Sequence, residues 1–189
     1  MKLILASGSP RRKEILNYLN IPFEVIISSF EEKIDEKKPL EEEIKRLSEG
    51  KASTVFKDNK DAIVIGADTI VTINNKVLGK PKDKEEAYKM LKALSNKEHF
   101  VVTSICAIET PNMRKKIHST TSYVSFNELS DSMIHNYIID FNPLDKAGSY
   151  GIQELPQSFV KNIGGSFENI IGLSPESVTA VLQQLEYRH

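Results

Sequence analysis

Ser7-Gly8-Ser9-Pro10-Arg11-Arg12 directly follows a short apolar run, Leu3-Ile4-Leu5-Ala6. The order reads as a strand that ends in small residues and a helix that opens on a proline. Gly8 allows a tight turn, Ser9 can cap, and Pro10 suits the first helical position. Backbone N–H groups at a helix start favour an anion, and two guanidiniums beside them favour a multiply charged phosphate group. A carboxylate comes next, in Ile63-Val64-Ile65-Gly66-Ala67-Asp68-Thr69, where a buried strand meets small residues. Asp68 can bind Mg²⁺ there or take a proton from water; a turn aspartate that satisfies local backbone groups is the plainer alternative.

Leu78-Gly79-Lys80-Pro81 is not a Walker A loop, because Pro81 stands where Ser or Thr must meet the metal. Lys80 can still place a point charge on a phosphate, although taken alone an exposed loop lysine is the better reading. Asp145-Lys146-Ala147-Gly148-Ser149-Tyr150-Gly151-Ile152-Gln153 has glycines that let the backbone approach a ligand. The Gln153 amide offers a donor and an acceptor, which suits the edge of a base. Glu31 and Glu32 form a carboxylate pair in a loop-like stretch, either solvated or supplying a metal ligand or base beside Asp68. His99, His118, His135 and His189 show no metal-ligand spacing. A Gly-x-Ser-x-Gly elbow and a Gly-x-Gly-x-x-Gly fingerprint are both absent, which weighs against a serine hydrolase and a dinucleotide site.

The elements that must position these groups are legible from period and caps. Strands are expected at Leu3–Ala6, Phe23–Ile27, Ala62–Ile65, Thr69–Ile73, Phe100–Ile108 and Ser122–Phe126. Asn74-Asn75 reads as a hairpin turn, and Gly164-Gly165 as another between Phe159–Ile163 and Phe167–Ile171. Helices are expected after Asp83, Ser130 and Ser174, each a capping residue ahead of an apolar stripe. A further helix is expected from about Leu40 to Phe56. There Lys51 falls seven residues beyond Ile44, on the same inward face, and needs a partner, an anionic ligand or a route to solvent. Residues 31–38 form the most loop-like internal stretch. Irregular alternation of strands and helices, with hairpins, predicts an α/β fold with a mixed, partly antiparallel sheet flanked by helices.

A chain of 189 residues that is 40% apolar can build a sizeable core as a single domain over 1–189. Its formal net charge of −1 argues against a general nucleic-acid or membrane binder. The single Cys106 excludes an internal disulfide framework, and its apolar surroundings predict a buried structural thiol. No apolar stretch is long enough to span a bilayer and the N-terminus does not read as a signal peptide, so a cytoplasmic protein is expected.

Taken together, Ser7–Arg12, Gly66-Ala67-Asp68-Thr69, Gly79-Lys80-Pro81 and Asp145–Gln153 resemble, in family order and over nearly the whole chain, the Maf family of nucleoside triphosphate pyrophosphatases. The resemblance implies two lobes around a deep cleft. It implies hydrolysis of a nucleoside triphosphate to the monophosphate and pyrophosphate with a divalent cation, Mg²⁺ or Mn²⁺. Ser-Pro-Arg-Arg, Gly-Ala-Asp-Thr and Tyr-Gly-Ile-Gln resemble the subgroup acting on dTTP and UTP, sometimes CTP, rather than the 7-methyl-GTP subgroup. By this resemblance Asp68 is the proton acceptor, and Arg11, Thr69 and Gln153 bear on substrate choice. Ser7, Arg12, Lys51 and Lys80 match other functional positions, and Glu31 an acidic position that would join Asp68 at a metal. Glu154 stands where the family usually has glycine, and Gly50 interrupts the helix just before Lys51 at a cost of about 1 kcal/mol relative to alanine. The competing function is a nucleotide-binding regulator of cell division or septum formation with little turnover. A homodimer stays open, since no helix face settles it.

Overall fold

Caps and apolar runs set the element order in a computed structural model that describes residues 1–35, 37–110 and 112–188. Glu36, inside the expected 31–38 loop, and His189 lie outside the described residues. The chain runs β1 (Lys2–Leu5), α1 (Pro10–Asn17), β2 (Phe23–Val25), α2 (Leu40–Phe56), β3 (Ala62–Ile73) and β4 (Lys76–Leu78). It continues with α3 (Lys84–Leu94), β5 (Glu98–Glu109), β6 (Arg114–Phe126), α4 (Asp131–Phe141), β7 (Val160–Gly164), α5 (Phe167–Ile171) and α6 (Pro175–Gln184). The strands form one mixed sheet in the order β2-β1-β3-β5-β6-β7, with β4 also on β3. β1 is parallel to β2 and β3, whereas β4 on β3 and β7 on β6 are antiparallel. This is the α/β class with a mixed sheet that the sequence predicts.

Side-chain caps start four of the helices as expected. Ser9, Asp83, Ser130 and Ser174 each accept an N–H from the first turn. Two expectations change. The runs Ala62–Ile65 and Thr69–Ile73 are one continuous strand, because Gly66 and Asp68 keep their places on it. Gly164-Gly165 does not turn between two strands: Phe167–Ile171 is the short helix α5, opened by Ser166 Oγ accepting the Asn169 N–H at 3.2 Å. Five residues, Phe-Glu-Asn-Ile-Ile, are too few for a period that separates strand from helix.

The chain divides into two compact units. Unit 1 holds residues 1–69, 103–120 and 172–189; unit 2 holds 70–102 and 121–171. In unit 1 Ile4, Ala6, Ala52, Val55, Val64 and Cys106 build a core. Burial pushes the Cys106 thiol up to about 12, so it stays protonated and inert. In unit 2 Val71, Leu91, Val124, Phe126, Tyr137 and Phe159 belong to a second core.

Gly66 fixes the approach of α2 to β3. A Cβ built on it would lie 2.3 Å from the Ser48 carbonyl oxygen and 2.5 Å from the Ala52 nitrogen. The helix therefore packs backbone to backbone on the strand, where no side chain can yield. Ahead of α2, residues 28–35 lie along the same helix. Its Glu43, only 1% exposed, accepts from Arg46 Nε and Nη2 at 3.0 and 2.8 Å and from the Asp35 N–H at 2.9 Å.

Gly66→Ala is expected to lower stability by about 1–3 kcal/mol through overpacking. Gly79→Ala, where a Cβ meets nothing within 4 Å, is expected to stay within about 0.5 kcal/mol. Urea midpoints of the two variants check this, and equal midpoints would refute the tight approach. Glu43 also carries a pH signature. The Arg46 hydrogen bonds, then that from the Asp35 N–H, hold its carboxyl down at about 2, with Lys38 4.0 Å away adding positive charge. A carboxyl depressed in the folded state stabilises above its ordinary range, and that contribution is lost as pH falls through the folded value. The unfolding midpoint between about pH 5 and 2 should therefore fall less steeply in Glu43→Gln than in the parent chain.

Candidate active site

Asp68 is 5% exposed and shares a face of β3 with Gly66, two residues earlier. Because α2 sits directly on Gly66, Lys51, next to Ala52 on that helix, reaches the same face. Its Nζ donates to Asp68 Oδ1 and lies 2.9 Å from Glu32 Oε1. The inward lysine therefore has a partner, and its side chain is only 9% exposed. Glu32 is 44% exposed, so the cluster runs from a buried carboxylate through one ammonium to a carboxylate facing water. Glu31, the residue expected near Asp68, pairs instead with Lys33 at 2.8 Å, and both of those side chains are over 70% exposed. The structure brings Glu32 to the cluster in its place.

Thr69 falls on the opposite face of β3, and there it meets Arg12. Arg12 donates from Nη2 to Thr69 Oγ1 at 3.1 Å, from Nη1 to Ser7 Oγ at 3.3 Å and from Nε to the Gly172 carbonyl at 2.9 Å. Thr69 Oγ1 also lies 2.9 Å from Thr103 Oγ1 and donates to Gly172 O at 3.3 Å. Gly172 has φ +128°, a conformation that favours glycine, and turns its carbonyl onto both groups. Within the first turn, Ser7 Oγ accepts the Ser9 N–H and Ser9 Oγ accepts the Arg12 N–H. The Ser7–Arg12 fragment is thus a knitted brace around one guanidinium. Burial lowers the Arg12 pKa, while the fields of Asp68 and Glu32 oppose that shift. A guanidinium stays protonated regardless, so Arg12 brings a lasting positive charge to this unit. Arg11, half-buried beside it, adds a second.

Unit 2 carries the other two expected residues. Lys80 is exposed in the segment after β4, and Gln153 is exposed in a turn closed by the Glu154 N–H on Gly151 O at 2.9 Å. The Gly148 N–H donates to Gly79 O at 3.1 Å, which ties the neighbourhoods of Lys80 and Gln153 to each other. Glu154 lies 3.2 Å from buried Lys146 as an ion pair. Lys146 is held on its other side by Asp145 at 2.9 Å. The Gly151 N–H donates to the Tyr137 hydroxyl at 3.1 Å, anchoring the turn from below.

Sequence reasoning missed Gly172 and Thr103 as partners and, within the pair Glu31 and Glu32, took Glu31 for the position near Asp68. Glu32 was distinguishable from Glu31 only by which neighbour meets Lys51, and irregular backbone has no period to decide that. Asp68 and Glu32 supply hard oxygen donors around one ammonium. Among the described residues no group of three His, Cys, Asp or Glu side chains is arranged to hold a metal. Mg²⁺ is commonly bound by one or two carboxylates together with substrate phosphates, and this donor set fits that habit rather than a closed cage.

Lys51→Met is expected to cost about 3–5 kcal/mol, because it strands a buried carboxylate. Lys51→Met combined with Asp68→Leu should recover most of that loss. Denaturant unfolding of both variants at neutral pH checks this; a double variant no more stable than the single one would contradict the buried pair.

The same residues can be set against known proteins. A family described as "Maf-like protein" matches residues 2–185. A dTTP/UTP pyrophosphatase of Bacillus velezensis is 44% identical over 187 residues, covering 99% of this chain and 98% of the relative. One from Alkaliphilus oremlandii is 46% identical over 183 residues, with 96% and 95% coverage. One from Aquifex aeolicus is 42% identical over 185 residues, with 98% and 96% coverage. With a family match that takes in both units and relatives of this closeness over nearly full length, the chain belongs to the Maf family.

Proposed function

We propose that this chain is a nucleoside triphosphate pyrophosphatase that hydrolyses dTTP and UTP, with CTP or modified pyrimidine nucleotides as further candidates, to the monophosphate and pyrophosphate. The observation that carries the reading is the Asp68–Lys51–Glu32 cluster, in a chain whose relatives are named dTTP/UTP pyrophosphatases. A carboxylate held on an ammonium suits activation of water.

Water attacks the α-phosphorus, the bond from that phosphorus to the bridging oxygen breaks, and pyrophosphate leaves. Asp68 accepts the proton from the attacking water. Lys51 fixes the Asp68 carboxylate through Oδ1 and adds positive charge where negative charge develops. Arg11 and Arg12 add to that field, and Ser7 and Thr69 hold the Arg12 guanidinium in place, so Thr69 affects substrate choice through Arg12. Lys80 is assigned to the phosphates and Gln153 to the base, whose carbonyl acceptors and N3–H match an amide. Glu32 would hold Mg²⁺ or Mn²⁺ together with the substrate phosphates. Such a cation, when bound, neutralises phosphate oxygens and lowers the charge that the protein must offset. Among the described residues no helix is long and apolar enough to cross a membrane. We place the reaction in the cytoplasm, where nucleoside triphosphates are made and used.

The test is pyrophosphate release from a panel of nucleoside triphosphates with Mg²⁺ or Mn²⁺. Release from dTTP and UTP is expected to fall by about 100-fold or more in Asp68→Asn. Gln153→Ala is expected to raise KM for pyrimidine substrates about tenfold while altering inorganic triphosphate less. Binding across the panel without turnover would replace this reading with the nucleotide-binding regulator of cell division. Equal losses on both substrates in Gln153→Ala would remove the base-reading role.

A further inference from the structure

We propose that Ser28–Asp35 is a strap clamped along α2, and that Phe30, Gly50, Glu43 and Arg46 are positioning residues that hold Glu32 against Lys51. The proposal rests on the functional reading above, because Glu32 is the residue being positioned.

The contacts run in order along both segments. The Ser28 and Thr54 hydroxyls are 2.6 Å apart, and Ser28 Oγ also accepts the Phe30 N–H at 3.1 Å. Phe30 lies against Gly50, where a built Cβ would come within 2.3 Å of ring atoms Cε2 and Cζ. Glu32 meets Lys51 at 2.9 Å. Arg46 Nη2 donates to the Lys33 carbonyl at 2.5 Å, and Glu43 Oε2 accepts the Asp35 N–H at 2.9 Å. From Ser28–Thr54 through Phe30–Gly50 and Lys33–Arg46 to Asp35–Glu43, strap numbers rise as helix numbers fall, so the strap runs opposite to the helix, with Glu32 reaching sideways to Lys51. Residues 43, 46, 50 and 54 are spaced by three, four and four, which places them on one helix face. Lys51 neighbours that row, which is why a strap seated on it delivers Glu32 to the ammonium.

The division of labour follows from burial and charge. A half-exposed ion pair does not by itself order a stretch of irregular backbone. Glu43 and Arg46 form a bidentate pair whose other hydrogen bonds go to the strap, at the Lys33 carbonyl and the Asp35 N–H, and the Arg46 guanidinium carbon lies 6.0 Å from the Phe30 ring centroid. Two fixed anchors flank Glu32, Phe30 on one side and Asp35 on the other. The mid-helix glycine, unfavourable for the helix alone, is the seat that admits the aromatic ring.

Gly50→Ala tests this with every charge left in place, and so serves even if Glu43→Gln does not fold. Alanine is the better helix former, so a purely structural role predicts a helix at least as protected as before. The strap predicts the opposite change at one place: hydrogen exchange over residues 28–35 rises about tenfold while α2 keeps its protection. In the full chain with Mg²⁺ and dTTP, kcat is expected to fall about tenfold with KM changed less. In a Glu32→Gln background, Gly50→Ala should then have no further effect on kcat, because both act through one contact. Unchanged exchange over 28–35 in Gly50→Ala overturns the strap. Losses that multiply in the Glu32→Gln background, or full turnover in Glu32→Gln alone, overturn positioning through Glu32. A parent chain with no pyrophosphatase activity defeats the functional reading instead, and the exchange data then decide the strap on their own.

Discussion

A lysine side chain only 9% exposed needs negative charge beside it, and the architecture around α2 follows from that need. Lys51 meets it from two directions: Asp68 on a buried strand and Glu32 on irregular chain. Against an apolar substitute of similar volume, a buried ion pair contributes little to stability. Its presence is therefore better explained by chemistry than by folding, and the chemistry it suits is activation of water beside a polyanion.

Two glycines let the pair form. Gly66 brings the strand to the helix backbone, and Gly50 opens the helix to an aromatic ring. Each removes a methyl group where a side chain would hold two segments apart, once on the strand side of α2 and once on the strap side. The helix thus meets strand backbone on one flank and the Phe30 ring on the other, and these two contacts place Lys51. Unit 2 uses a different device. There a backbone hydrogen bond between Gly148 and Gly79 and the buried Lys146 with its two carboxylates keep short loops in register.

Much of this was legible in the sequence because it depends on local rules. The bounds of α2 and the caps at Ser9, Asp83, Ser130 and Ser174 follow from period and hydrogen-bonding chemistry. The Asn74-Asn75 hairpin follows from two residues that tolerate positive φ, 51° and 61° here. What was not legible depends on distant partners. Gly66 reads as a break in a strand until a helix is seen lying on it. Phe167–Ile171 reads as a strand until Ser166 Oγ is seen accepting the Asn169 N–H. The partners of Arg12 are not local either: three of its five N–H groups meet Ser7, Thr69 and Gly172, the last 160 residues away. The choice between Glu31 and Glu32 turns on one residue of register in chain without a period.

The brace around Arg12 has an electrical side. Its three hydrogen-bond acceptors are two hydroxyls and a carbonyl, all neutral. Geometry is fixed by neutral partners, while the Asp68 and Glu32 carboxylates act on the cation only through their fields. In a protein whose formal net charge is only −1, a persistent local cation adds attraction for a diffusing polyanion. Capture of the ligand is accordingly a rate that declines with ionic strength, because the Debye length shrinks to about 8 Å at physiological salt. The rigidity of the brace, a mechanical property, thereby sets how strongly the encounter step responds to the surrounding electrolyte.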